Sequence, residues 1–530
     1  MSIYDLHDKL AAHPERVMRF LSLDGTLVTK SFADVHEDVD RLVAELTACG
    51  IGAGDTVGIL GPNSYEWVIA DLALLTLRSV SAALPAEQNA QPMDPEQLCA
   101  QYDLSALLLT RALPGGTALP PAVALLGGGP VVLDKRTRSG DKHPPLPDHV
   151  FTIAFSSGTS GTKKGLMLTR EGVENTILTS IRAWEVGEDD NILIVMPFSN
   201  FQQRYLMYTA IWTGCDATVV APERMFQKLG EFQPTIVLGP PSFFEIMYNR
   251  VQAASRREKL PYYLATLLHA VAPARLTRGV RARLGRKWTR MYGARTRLMF
   301  TGSAPVPSRT VQLFQRLAAP LFEVYGSTEV GWIAFNLPRA HRAGRAGRAV
   351  DGVDVTIAPD GEVLVRTTTP QAAGYVFAGM ETQQSVFLGD HRLATGDLGR
   401  LDSAGFLQIQ GRKKNVIITR SGVKINPEEL EEDVEKNCRV TKAVVVSPGQ
   451  DGLLTCIVWV DDEQAADGSA EIEAYVESAN QKRAASHRIS RVLVRPAPEL
   501  TVDTGLLTRN LKIDRAAVIR RVFADSNRVG

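Results

Sequence analysis

Between Leu23 and Pro85 the chain alternates short β-prone runs with helical periodicity, and few folds accommodate that order. TLVTKSF and DTVGIL are strand-like, whereas DVHEDVDRLVAELTAC repeats apolar residues three and four apart and YEWVIADLALLTL continues a helical run. This is the grammar of an α/β fold. ALLLT (106–110), PVVLD (130–134), VFTIAF (150–155), NILIVMPF (191–198), ATVVA (217–221) and TIVLG (235–239) extend the series of strand candidates. The expected architecture is a large N-terminal domain of mostly parallel sheets flanked by helices. After Tyr325 the pattern changes: VDVTIAPDGEVLVRTTT alternates apolar and polar residues around Pro-Asp-Gly, which predicts an antiparallel hairpin and a β subdomain. From about Lys413 a strand (VIITR), a helix (NPEELEEDVEKNC), strands KAVVVSP and LLTCIVWVD, a further helix and a basic tail predict a small α+β unit. With 530 residues the chain has room for more than one core, and the expected division is 1–412 and 413–530.

Charge and composition remove several classes of function. A formal net charge of +1 gives no global reason for nucleic acid or an anionic surface to be the main partner. The five cysteines are scattered without CxxC spacing, which is expected of free thiols in a reducing compartment. The first residues, MSIYDLHDKLAAHPERV, lack the apolar run of a signal peptide, and ADLALLTLRSVSAALP is interrupted by Arg78 and reads as a buried helix. A cytoplasmic protein without membrane insertion is expected. The nine histidines show no HExxH spacing, and no GxSxG elbow is present, so zinc and hydrolase chemistry are disfavoured.

SSGTSGTKKG, Ser156 to Gly165, places three glycines, five hydroxyl residues and two lysines between the strand VFTIAF and the β-like run GLMLT. Glycines let backbone N–H groups approach an anion, hydroxyls add donors and lysine adds charge, so the stretch reads as a phosphate cradle; the alternative is a solvated Ser/Gly loop. It is not a P-loop, because counting from Gly158 puts Lys163 where GxxxxGK[ST] requires glycine, and no GxGxxG follows a strand to open a helix.

The stretch is similar to the phosphate loop of the ATP-dependent adenylate-forming superfamily of acyl-CoA synthetases, luciferases and adenylation domains. YGSTE (325–329), TGDLGRLD (395–402), GRKKNVIITRSGVKINPEELE (411–431) and LLTRNLKIDR (506–515) follow in the same order along the chain. With MPFSNFQQR (196–204) and LMFTGSAP (298–305), they resemble the fatty acyl-CoA synthetase branch most. The resemblance implies that a carboxylate attacks the α-phosphorus of ATP, pyrophosphate leaves, and the acyl-adenylate passes to coenzyme A. It assigns Ser156, Ser157, Gly158, Thr159, Ser160, Gly161 and Lys164 to the phosphates and Gly302, Ser303 and Ala304 to the adenine and acyl pockets. Tyr325 would stack on adenine, Gly326 and Ser327 would complete the same turn, Thr328 would bond the α-phosphate, and Glu329 would bind Mg2+. Asp397 and Arg412 would hold the ribose. Lys512 would bridge the substrate carboxylate and α-phosphate, Lys414 would be the hinge of a mobile C-terminal domain, and Ser421 and Gly422 would line the coenzyme A tunnel.

Two positions depart from the family's pattern. Lys163 stands where proline is usual, and Asn200 stands where histidine is usual in an acid pocket that Phe201 and Arg204 would also border, with Gln202 and Gln203 making its edge polar. A remodelled acid site leaves two alternatives: nitrite activation followed by diazotisation of an aromatic amine, or acyl loading of a carrier-protein thiol. Outside adenylation the alternative is a non-catalytic nucleotide sensor. Nine Lys/Arg in the 23 residues from Arg275 to Arg297, and the arginines of RAHRAGRAGR (339–348), read as solvated faces or as a dock for coenzyme A phosphates or an acidic carrier.

Overall fold

The structure is a computed structural model and describes residues 2–22, 24–85, 94–113, 119–139, 145–156, 164–221, 224–304, 306–419, 423–437, 439–448, 453–460, 469–501, 503–508 and 513–524. Two sheets organise the larger part of the chain. One has seven strands, in the order Ala372–Val376, Lys164–Thr169, Val150–Ser156, Val80–Leu84, Thr56–Leu60, Ala106–Leu109, Val123–Leu125. Its last five strands run parallel and its first two antiparallel.

The second sheet, of fourteen strands, has a parallel block made of Val17–Leu21, Asp216–Val220, Asn191–Ile194, Ile236–Gly239, Leu298–Thr301 and Leu321–Ser327. Beyond Leu321–Ser327 it turns antiparallel through Gly331–Phe335, Gly347–Ala349, Phe406–Arg412, Arg392–Leu401, Glu362–Thr367 and Val353–Ile357. The expected Pro-Asp-Gly hairpin is the last pair of this extension.

Local signals explain the helices that clothe the sheets. Ser31 and Asp34 form a reciprocal capping box at the start of helix Phe32–Ala48, which buries Phe32, Val35, Val39, Leu42 and Leu46 along one face. Helix Tyr65–Thr76 is buried almost all round and accordingly has no polar stripe. The apolar run that follows it does not continue as helix: Arg78 adopts φ 55°, and Val80–Leu84 enters the seven-stranded sheet. Both pieces are buried on all sides, so their periodicity could not separate them. The stretch PVVLD also differs from its expectation. It buries Val131 and Leu133, but its backbone bonds the Glu45 carboxylate and the Pro121 carbonyl instead of a sheet ladder.

The C-terminal part has its own core of Ile425, Leu430, Val434, Val440, Val458 and Val476. Val440–Val446 pairs antiparallel with Leu454–Val460, and Ile489–Pro496 pairs parallel with the latter. That third strand was hidden in the sequence by Arg491, Arg495 and Pro496, residues tolerated because it lies at the sheet edge. VIITR contributes only the two-residue strand Ile417–Ile418.

Candidate active site

The strands Val150–Ser156 and Lys164–Thr169 form an antiparallel hairpin in which Ser156 pairs with Lys164. The tip between them, with Ser157, Gly158, Thr159, Ser160 and Gly161, lies outside the described residues. At its base, the Lys164 ammonium stands 5.9 Å from the centre of the Tyr375 ring. The Tyr375 hydroxyl donates to Glu329 Oε1 at 2.8 Å, and burial first, then the Glu329 charge, pushes the phenol pKa upward. Tyr375 therefore joins the lysine of one motif to the carboxylate of another. Sequence reasoning missed it, because it sits in the plain strand Ala372–Val376.

Gln371 is a second missed residue. Its side-chain amide donates to the Thr328 carbonyl at 3.0 Å and accepts from the Thr176 hydroxyl at 2.9 Å. It pins the 327–330 turn to helix Arg170–Trp184.

Tyr325, Asp397 and Arg412 meet in one chain of bonds. The Tyr325 hydroxyl donates to Asp397 Oδ2 at 2.6 Å, and Arg412 Nε lies 2.8 Å from Asp397 Oδ1. Asp397 and Arg412 are register partners on adjacent strands, so the sheet itself sets their approach. Lys414 follows in the one-turn 3₁₀ helix Lys413–Asn415, with its pKa lowered by burial first and then by the charges of Arg412 and Lys164. The positive charges of Arg412 and Lys164 thus both bear on the Lys414 ammonium.

A pocket beside this region is lined by Asn200, Gln202, Gly302, Ser303, Gly326 and Trp332, among others. Apolar side chains, among them Met196, Leu238, Val324 and Trp332, share its wall with the polar ones. Asn200 caps helix Phe201–Thr213, accepting from the Gln202 backbone. The Ser303 hydroxyl donates to Gln202 Oε1 at 3.0 Å, and Ser303 itself is held in a left-handed conformation at φ 68°. The close strand-end turns require small residues: a Cβ on Gly302 would lie 2.8 Å from the Val324 carbonyl oxygen, and one on Gly326 2.5 Å from that of Gly331. Trp332, absent from the sequence expectations, forms a wall and donates its indole N–H to Ser180 Oγ at 2.8 Å.

Phe201 and Arg204 occupy the core instead of the pocket. Phe201 is packed in the main hydrophobic cluster. Arg204 is buried in an ion pair with Asp71, with Nε 2.8 Å from Oδ2, and donates to Thr152 and Ser81 at 2.6 Å each. Gln202 and Gln203 both line the pocket as expected, and buried Gln203 in addition accepts from the backbone of Val195 and Met196.

The remaining expectations divide. Ser421, Gly422 and Lys512 lie outside the described residues. Next to Lys512, Leu507 bridges Ile513, and the Arg515 guanidinium lies 2.5 Å from Glu431 Oε2 on helix Pro427–Val434, so the flanks of that segment are tied to the C-terminal core. The arginines of RAHRAGRAGR serve the fold: Arg342 and Arg348 each lie 4.8 Å from the Phe406 ring centre, and Arg342 pairs with Asp402. From the 275–297 cluster, Arg297 pairs with Asp190 through two bonds and Arg281 caps the end of helix Ser308–Arg316 by donating to Gln315 O. The four described cysteines are free.

The AMP-binding enzyme family matches residues 6–379, and the AMP-binding enzyme C-terminal domain matches 414–524. The long-chain-fatty-acid–CoA ligase FadD15 of Mycobacterium tuberculosis is 26% identical, covering 98% of this chain and 96% of the relative. The indoleacetate–CoA ligase of Aromatoleum aromaticum is 27% identical over 78% of this chain and 80% of its own length. Among solved structures, the anthranilate CoA ligase AuaEII with anthranoyl-AMP superposes with a TM-score of 0.74 at 18% identity, covering 98% and 96% of the two chains. The amide bond synthetase McbA from Marinactinospora thermotolerans gives 0.71 at 21% identity, covering 98% and 99%.

Proposed function

The chain belongs to the AMP-binding enzyme family and is an AMP-forming ligase; we propose that it adenylates a carboxylic acid with ATP and transfers the acyl group to coenzyme A. The observation that supports this most is the meeting of separate motifs: Lys164 and Glu329 share Tyr375, and the charges of Arg412 and Lys164 both bear on Lys414. An arrangement of clustered cations with one adjacent carboxylate suits a metal-bound triphosphate better than a neutral ligand.

In the first half-reaction the substrate carboxylate forms a bond to the α-phosphorus and the bond to the β-phosphate oxygen breaks, releasing pyrophosphate. The chain's contribution is positioning and charge stabilisation. Lys164 and the hairpin tip hold the outer phosphates; the Tyr325–Asp397–Arg412 chain fixes the aromatic ring for the base and presents acceptor oxygen to the ribose. Glu329 fits a hard cation, because Oε1 is oriented by Tyr375 while Oε2 meets no donor among the described residues, and a magnesium ion there would supply neutralisation of phosphate charge. In the second half-reaction the coenzyme A thiolate attacks the acyl carbon and AMP leaves.

Removing the orienting hydroxyl tests the Glu329 assignment. Tyr375→Phe deletes one hydrogen bond to a charged group, of order 1.5–3 kcal/mol, so ATP in the presence of Mg2+ is expected to bind about tenfold more weakly or worse. Isothermal titration with and without Mg2+ checks this: an unchanged affinity for Mg-ATP would remove Glu329 from the metal's surroundings.

The two half-reactions demand different placements of the C-terminal part. Here Arg309 Nη1 donates to the carbonyls of Glu435 at 2.6 Å and Val440 at 3.1 Å, contacts that a rotation about Lys414 would have to break. Proline at Lys414 fixes φ near −65°. Lys414→Pro is therefore expected to lower coenzyme A-dependent turnover more than pyrophosphate release, measured separately by thioester and pyrophosphate assays; equal losses would count against a hinge at this residue.

One observation favours a second reading. The pocket wall carries the uncharged amides of Asn200 and Gln202 and the hydroxyl of Ser303, donors that can hold nitrite as well as a carboxylate, with an aromatic amine as the acceptor. Pyrophosphate release measured against fatty acids, aryl acids, and nitrite with an aromatic amine separates the two. Release that requires an organic acid supports the ligase to coenzyme A, and nitrite-dependent release alone replaces it. No release with any acid would overturn both.

A further inference from the structure

Helices Arg256–Val271 and Ala274–Thr289 form a hairpin packed beside helix Ser308–Arg316, and its outer face is apolar where a water-facing surface should not be. In the first helix Leu260, Tyr263, Leu264, Leu267 and Val271 are 44–68% exposed, while Tyr262 and Ala265 turn inward to the core. The exposed positions recur at spacings of three and four, so they make one continuous stripe along the helix. The second helix adds Leu276 at 80% and Val280 at 55%. A run of seven large apolar side chains on one supersecondary unit exceeds the scattered exposure normal for a monomer surface.

Its charge identifies the kind of partner. Residues 255–290 carry ten lysines and arginines against one glutamate, whereas the whole chain nets only +1, so the rest is acidic overall. Arg283, Arg286 and Lys287 are exposed on the second helix, and Arg256 and Arg257 at the start of the first. Arg281 is committed to the fold and lies outside this set. A second copy presenting the same face would oppose like charges, while an acidic protein would meet the cations but leave the leucine stripe without a stated complement. An anionic lipid surface satisfies both, with phosphates at the headgroup level and acyl chains beneath. No helix of the described residues is long and apolar enough to cross a membrane, so the contact is interfacial.

We propose that the helical hairpin 255–290 docks the protein onto an anionic lipid surface through the Leu260–Val271 stripe and its flanking cations. The proposal is independent of which acid is activated.

The test is flotation of the full-length protein with phosphatidylcholine vesicles and with mixed phosphatidylcholine–phosphatidylglycerol vesicles at low and high salt. Each basic residue near an anionic surface contributes of order 1 kcal/mol, so at least about tenfold stronger binding to the mixed vesicles is expected, weakening with salt. Leu264→Glu with Leu267→Glu, and separately Arg283→Glu with Arg286→Glu, should each remove it, while thermal melting and pyrophosphate release stay at wild-type levels. Four results would overturn the proposal: no vesicle binding by the wild type, equal binding to neutral vesicles, undiminished binding by either variant, or a dimer in sedimentation velocity that the leucine variant dissolves. Capture of an acidic carrier protein through the same residues, without vesicle binding, would likewise assign the face to a different partner.

Discussion

Lys512→Ala is expected to slow adenylate formation by roughly 10²–10³ while leaving thioester formation from supplied acyl-adenylate near wild-type rates. Charge develops on the phosphate oxygens only as the carboxylate attacks, so an ammonium preorganised at that point acts on the first half-reaction alone. Lys512 belongs to a segment whose flanks are held firmly: Asp514 N donates to Leu506 O at 2.9 Å, Leu507 bridges Ile513, and Arg515 binds both Glu431 and the Val445 carbonyl. Single-turnover assays of each half-reaction distinguish the role from a general folding defect, which would reduce both.

The second large effect lies away from the chemistry. Arg204→Met removes one partner of a buried ion pair and leaves the Asp71 carboxylate, with no exposed side-chain surface, uncompensated. Such a loss typically costs about 3–5 kcal/mol, read as a lowered midpoint in chemical denaturation. Tyr208 donates to the same carboxylate at 2.5 Å, so part of the charge remains hydrogen-bonded. The double variant Asp71→Leu with Arg204→Met should recover part of the loss, because replacing both ions by apolar groups removes the desolvation penalty. Unchanged stability together with an altered acid preference would instead return Arg204 to the pocket.

That residue shows where the sequence was legible and where it was not. MPFSNFQQR announces a polar segment, but a helix distributes consecutive residues around its axis. Asn200, Gln202 and Gln203 line the pocket, while Phe201 and Arg204 point into protein. Residue type could not reveal this, since arginine is rarely buried and the partner that permits it, Asp71, stands 133 residues earlier. The α/β order was readable because strand and helix periodicities differ, and the 353–367 hairpin because its turn residues are specific. The strand Val80–Leu84 was not, because full burial erases the period.

Asp397 and Arg412 were legible as a pair for a physical reason: a short hairpin between two strands fixes their register. Tyr375 and Gln371 were not, since each acts through a partner brought near only by the sheet, and neither stands in a turn with unusual composition. His7, His36 and Asp40 make the same point on the surface. They come from two helices, the two imidazoles stack at 4.0 Å, and Asp40 reaches both, a grouping the linear histidine spacing conceals.

The central claim is that the acid's own oxygen attacks the α-phosphorus of ATP. Oxygen-18 transfer tests it most directly: the acid that supports pyrophosphate release is supplied with both oxygens labelled, the reaction is run to completion with coenzyme A, and the products are resolved by mass spectrometry. One labelled oxygen in AMP and none in pyrophosphate is the predicted result. Unlabelled AMP, or the formation of ADP with inorganic phosphate, would contradict it.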